Sequence, residues 1–258
     1  MVDKYSSIIL FSSILLVISP SFDSVNAFPI VHKFLIDFDV SGNVPGRIKV
    51  SSSLRYSGGL NYSIKQASRH THVIGRIVDE DEVLLDGKST YMSRYVLVVV
   101  RDGGAKYVRI TTRRREDHKY VTWIREFIKR TGAERYIPVI RTPVAIDLKT
   151  QESDEFIKME TVICGNNNDV IKEFTIHRNM QDDFIIGQIQ YGEFLIEAVT
   201  SEIMERKVAL GMVYNIPSIT IFTRYADGAD VTTKYKFSID SKTVHLLEET
   251  RKLMDLCE

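Results

Sequence analysis

Arg94-Tyr95-Val96-Leu97-Val98-Val99-Val100 and Lys106-Tyr107-Val108-Arg109-Ile110-Thr111-Thr112, joined through Asp102-Gly103-Gly104, read as two strands and the turn between them. β-branched and aromatic residues crowd both runs, which suits a pleated surface. Asp and Gly tolerate the positive φ of a tight hairpin. Working upstream, alternation predicts strands near 33–40, 47–53, 60–66, 72–78 and 82–86. Downstream, Trp123, Ile124, Phe127 and Ile128 can form one helical stripe, with Thr122 as its cap and Gly132 as its stop.

The same plan returns. Phe34-Leu35-Ile36-Asp37 is echoed by Val144-Ala145-Ile146-Asp147, and Ile48-Lys49 by Ile157-Lys158. Ile64-Lys65 is echoed by Ile171-Lys172, and Val73-Ile74-Gly75-Arg76-Ile77 by Ile185-Ile186-Gly187-Gln188-Ile189. Glu82-Val83-Leu84-Leu85 matches Glu193-Phe194-Leu195-Ile196, and Val108 to Thr112 matches Ile219 to Thr223. The offset stays near 107 to 112 residues. Six matches in order point to duplication; strand patterning in one larger domain is the competing explanation. A second helix is predicted from about Ser241 to Leu256, carrying Val244, Leu247 and Leu253. The expected fold class is α+β: two tandem related units, each an antiparallel β-meander followed by one packing helix. The expected boundaries are 28–135 and 144–258, with a Pro-containing linker at 136–143.

Residues 1–27 have the layout of a secretory signal peptide: Lys4, an apolar stretch through Ile18, then Val25-Asn26-Ala27 before a cleavage point at Phe28. The apolar run is about 11 residues, short of the roughly 20 that cross a bilayer. A secreted protein is expected, against an uncleaved anchor or a buried first helix. Cleavage leaves 33 basic and 32 acidic residues. That balance gives no global pull toward nucleic acid. The cysteines Cys164 and Cys257 form one disulfide or remain free thiols.

Val83-Leu84-Leu85-Asp86-Gly87-Lys88, then Arg94 to Val100, then Tyr107-Val108-Arg109-Ile110, then Trp123-Ile124 follow one another in a distinctive cadence. The segment 83–124 resembles the FAINT repeat of secreted piroplasm parasite proteins, in which an Asp-Gly-Lys turn, a Tyr-led valine strand, a further strand and a late Trp recur. The second unit has neither the Trp nor the Asp-Gly-Lys. The resemblance implies a secreted parasite protein acting at or in a host cell, and it carries over no functional residue.

No metalloprotease, phosphate-loop, dinucleotide or serine-hydrolase motif occurs. His70 and His72 are weak metal candidates, since i and i+2 on a strand share a face; solvent-facing histidines are the plainer explanation. Arg113, Arg114, Arg115 and Lys119 form the concentrated basic patch, a partner-binding candidate or a solvated strand-to-helix loop. Asp79-Glu80-Asp81-Glu82 is an acidic loop without the spacing of a calcium site. Asn61-Tyr62-Ser63 fits an N-glycosylation acceptor. The expectation is therefore a secreted, non-enzymatic binding protein without a cofactor, its partner a protein or cell-surface component. A hydrolase or metal enzyme with its site between the units, and a carrier of an apolar ligand, are the rivals.

Overall fold

A computed structural model describes residues 32–116, 119–164, 169–213, 216–238 and 243–253. His32–Glu258 form one compact unit. Residues 1–27, read from the sequence as a signal peptide, and Cys257 lie outside the described residues.

In the N-terminal half the strands are β1 (Phe34–Asp39), β2 (Ile48–Ser52), β3 (Gly59–Ile64), β4 (His72–Asp79), β5 (Glu82–Leu85), β6 (Ser93–Val100), β7 (Lys106–Glu116), β8 (Lys119–Lys129) and β9 (Ile137–Pro138). In the C-terminal half they are β10 (Thr142–Asp147), β11 (Ile157–Cys164), β12 (Asp169–Ile176), β13 (Phe184–Tyr191), β14 (Phe194–Glu197), β15 (Ile203–Val213), β16 (Ile216–Tyr225), β17 (Ala229–Ser238) and β18 (Thr243–Leu253). Each half has a three-stranded sheet, ordered β1-β4-β5 or β10-β13-β14. Each also has a six-stranded antiparallel sheet, ordered β2-β3-β6-β7-β8-β9 or β11-β12-β15-β16-β17-β18.

The α+β expectation is overturned, because no α-helix occurs among the described residues. The segment predicted as a helix after Thr122 is β8, paired with β7 from Lys106↔Lys129 to Glu116↔Lys119. Its buried positions are Thr122, Ile124, Glu126 and Ile128, a period of two. The apolar residues at helical spacing fall on both faces of this strand, with Trp123 41% exposed. The predicted closing helix is β18, hydrogen-bonded along β17 from Ala229↔Leu253 to Ser238↔Thr243. Most of its side chains are exposed on either face, so no alternation marked it as a strand.

The halves correspond in detail. β1 and β10 each run parallel to their partner, with a register shift at Ile36/Phe38 and at Val144/Ile146. The Asp39 carboxylate accepts the Ser41 N–H at 3.0 Å and the Glu80 N–H at 3.2 Å. Asp147 accepts Lys149 N–H at 3.0 Å and Gly192 N–H at 2.8 Å. Phe38, Ile48, Ile74, Ile77, Val96, Val108 and Ile110 build one core. Ile146, Ile157, Ile186, Ile189, Val208, Ile219 and Ile221 build the other, in the same order.

A buried arginine ties the small sheet to the large one in each half. Arg94 donates from Nε to Thr112 Oγ1 at 3.1 Å, from Nη1 to the Gly75 carbonyl, and from Nη2 to the Asp86 carbonyl at 2.7 Å. Arg206 donates from Nε to Thr223 Oγ1 at 3.1 Å and from Nη1 to the Gly187 carbonyl at 2.6 Å. Its Nη2 lies 3.0 Å from the Glu197 carboxylate, an ion pair without hydrogen-bond geometry. Leu85 pairs with Ile77 as Glu197 pairs with Ile189, so Arg94 has no carboxylate there and is solvated by carbonyls and by the Tyr91 ring, 4.9 Å away. Burial lowers the Arg94 pKa to about 10. Gly87 is required beside this staple: a Cβ there would meet the Gly75 carbonyl carbon at 2.5 Å.

Candidate functional site

β7 alternates its side chains between two environments. Val108 and Ile110 enter the core of the N-terminal half. Tyr107 and Arg109, on the opposite face, turn toward the C-terminal half, beside Leu97, Val99 and Tyr56. Arg109 donates to Glu126 from Nε at 3.2 Å and from Nη2 at 3.0 Å. It also donates to the Tyr107 hydroxyl at 3.1 Å and to the Tyr56 hydroxyl at 2.6 Å. The Tyr107 hydroxyl in turn donates to Glu126. Burial opposes the Glu126 charge, but Arg109 and Arg141 outweigh it and hold the carboxyl below its usual range. Burial opposes the Arg109 charge as well, and Tyr107, Tyr56 and Glu126 more than offset it. Burial pushes the Tyr107 phenol well up, so it stays protonated and acts as a donor.

The linker and the C-terminal half meet this network through charged side chains. Arg141 donates to Glu126 and, from Nε, to the Gln181 carbonyl at 2.6 Å. Arg101 forms a two-pronged pair with Asp182, and Arg130 pairs with Asp183. Arg55 pairs with Glu205. The Ile124 N–H donates to the Ala226 carbonyl at 2.9 Å. The linker is itself fixed: Pro138 and Ile137 pair with β8, and Tyr136 donates from its hydroxyl to Asp79 at 2.8 Å.

Between the halves lies a cleft of about 290 Å³. It opens beside a shallower groove of about 760 Å³ that shares Tyr56, Arg101, Lys158 and Arg178. Eight cationic side chains line the cleft, and seven of them share five carboxylates: Asp182, Glu205, Glu126, Glu197 and Glu160. Arg109, only 6% exposed, reaches it with Nη1 unpaired among the described residues. Arg178, exposed at the rim, has no ion-pair partner among them. Positive charge, spare guanidinium N–H groups and tyrosine faces suit an anionic oxygen ligand.

The sequence candidates lie elsewhere. His70 sits in a turn rather than on a strand, and His72 opens β4 with its Nδ1 on Thr71 Oγ1 at 2.8 Å. Among the described residues no group of three His, Cys, Asp or Glu comes together to hold a metal. Arg113, Arg114, Arg115 and Lys119 are at the outer end of the β7–β8 hairpin, which replaces the expected strand-to-helix loop. Arg114 pairs with Glu116 and lies 4.0 Å from the Trp123 ring centre, and Arg113 reaches Thr122 Oγ1 at 3.5 Å. Asn61 is in β3, between β2 and β6, with its Nδ2 buried. The acidic run is split: Asp79 accepts Lys106 at 2.9 Å and Glu82 accepts the Tyr136 N–H at 2.9 Å. The cleft residues escaped the sequence reading because they gather from both halves. The one local sign was Arg109 amid Val108 and Ile110 in a strand, a cation that demands a buried partner.

No family model, curated protein or solved structure matches the chain. Among the described residues no helix is long and apolar enough to cross a membrane.

Proposed function

We propose that this is a secreted, non-enzymatic binding protein that docks a partner protein at or in a host cell, seating acidic side chains of that partner in the cleft between its halves. The observation that carries the reading is the excess of cations in one cleft of a chain with no net charge: eight cations face five carboxylate partners, which leaves Arg178 without an ion-pair partner among the described residues and Arg109 with a spare Nη1. Such a local field attracts anionic groups and orients them through guanidinium forks. The resemblance of residues 83–124 to the FAINT repeat, and the leader-like residues 1–27, supply the secreted and host-directed parts.

Two measurements test it. Calorimetric titration of the full chain with an oligoglutamate peptide at low salt should give binding that weakens as salt rises. The double variant Lys158→Glu/Arg178→Glu, changed at the rim, should bind at least tenfold more weakly. Absence of binding by the unaltered chain overturns the cleft as an acidic-partner site. Antibody staining of producing and host cells tests secretion, and signal confined to the producing cell's cytosol overturns that part.

A further inference from the structure

β18 is the outermost strand of its sheet, and among the described residues it is hydrogen-bonded only to β17. The corresponding edge of the first sheet is closed. There β8 is covered by the two-residue β9 with its Pro138, and by the Ala226 carbonyl from the other half. Pro and short length are ordinary ways to blunt an edge. β18 has neither: it is 11 residues long, without proline, and carries Leu246, Leu247 and Leu253 more than half exposed; a bulge at Leu247 interrupts it, and from Glu248 to Leu253 its register is regular.

Its sequence is antisymmetric in charge. Leu247-Glu248-Glu249 precedes Thr250, and Arg251-Lys252-Leu253 follows it. An antiparallel copy placed about a twofold axis at Thr250 sets Thr250 against Thr250. Glu249 then faces Arg251 and Glu248 faces Lys252, each twice; Leu247 is the extra residue of the bulge and stands outside the regular register. Directly opposed residues in an antiparallel pair share a face, so all four flanking pairs are attractive. A twofold interface requires such self-complementarity of a single patch. Glu248 and Arg251 already bond Lys234 at 2.7 Å and Asp227 at 2.6 Å within the chain. Their side chains remain 54% and 59% exposed, which leaves room for a second opposite charge.

We infer that β18 is a self-pairing edge: two copies of the chain join antiparallel through Glu248–Lys252, fusing their six-stranded sheets into one continuous sheet. The occupant is a second copy because the charge order of the strand complements its own reversal. This interface is separate from the cleft and does not depend on its function.

Sedimentation equilibrium of the full chain, expressed with its N-terminal segment and purified folded, tests the pairing. The unaltered chain should show a concentration-dependent rise to twice the monomer mass. Glu249→Arg places Arg against Arg251 of the second copy, and Arg251→Glu places Glu against Glu249; each variant alone should sediment as a monomer. Mixed in equal amounts, the two variants oppose Arg with Glu at all four positions, and the dimer should return. A monomeric unaltered chain overturns the inference. So does a dimer that survives both single changes, or a mixture that stays monomeric.

Discussion

Arg94 and Arg206 hold the same place in two successive copies of one topology, each donating from Nε to a threonine hydroxyl at 3.1 Å and from Nη1 to a glycine carbonyl. They differ in counter-charge: Arg206 has the Glu197 carboxylate at 3.0 Å, and Arg94 has carbonyls and an aromatic ring. Replacing either by Met orphans buried acceptors and should lower stability by about 2–4 kcal/mol. Arg206→Met should cost more, since it also removes the counter-charge of a half-buried carboxylate and leaves it only the Thr233 and Tyr235 hydroxyls. Urea unfolding followed by circular dichroism compares the two, and equal losses would remove the role given to Glu197.

Asp79 makes stability fall in acid. Burial opposes its charge, but hydrogen bonds from Ser41, Lys106 and Tyr136 outweigh that and hold its pKa below the ordinary value. A carboxyl depressed on folding stabilises fully above its unfolded pKa of about 3.9, and the benefit is lost as pH falls through the lower folded value. Thermal melts of the unaltered chain should therefore steepen downward below about pH 4. Asp79→Asn should melt lower at neutral pH and show a flatter acid limb. An unchanged limb would mean that other carboxylates, Glu126 first, dominate the acid response.

Gly87 faces an obstacle that cannot move aside. Its Cβ would meet Gly75 backbone atoms at 2.5 and 2.6 Å, on the strand that supplies the acceptor for Arg94. Gly87→Ala should cost about 1–3 kcal/mol through overpacking. Gly46→Ala, where a Cβ meets nothing within 4 Å, should stay within about 0.5 kcal/mol of the unaltered chain. Parallel denaturant titrations decide the matter; equal stability of the two variants would contradict the close approach.

Asn61 should remain unmodified even in a glycosylating secretory pathway. Its Nδ2, the atom a glycan would occupy, is buried in a strand paired on both sides. Intact mass before and after peptide N-glycosidase treatment should be the same. A large mass loss would show that β3 does not pack as described.

Most strands were legible because Val, Ile and aromatic residues alternate with polar ones, and the order of the matches carried the correspondence between halves. β8 was not, because polar residues occupy its buried face. Thr122 and Glu126 are 5% and 8% exposed, so the period-two signal vanished and the apolar residues left over fell at helical spacing. Glu126 can sit there only because Arg109 and Arg141 neutralise it, a fact no local window contains. β18 failed for the opposite reason. With neither face buried, its Leu, Glu, Arg and Lys keep their intrinsic helical preference, and only the long pairing with β17 makes it a strand. The cleft is a property of the joint: Arg101 finds Asp182 and Arg55 finds Glu205 across large separations in the chain. Composition, which showed only a neutral total, hid the separation of charge.

The single carboxylate of Glu126 answers to Arg109 on one side of the joint and to Arg141 on the other. Opening the joint would part Glu126 from Arg141 and leave Arg109 as its one charge partner, and so would melting the C-terminal half alone. The chain therefore gains little from independence of its parts. A protease cut in the connecting segment should leave both pieces clasped together, and heating should produce one sharp event in place of two.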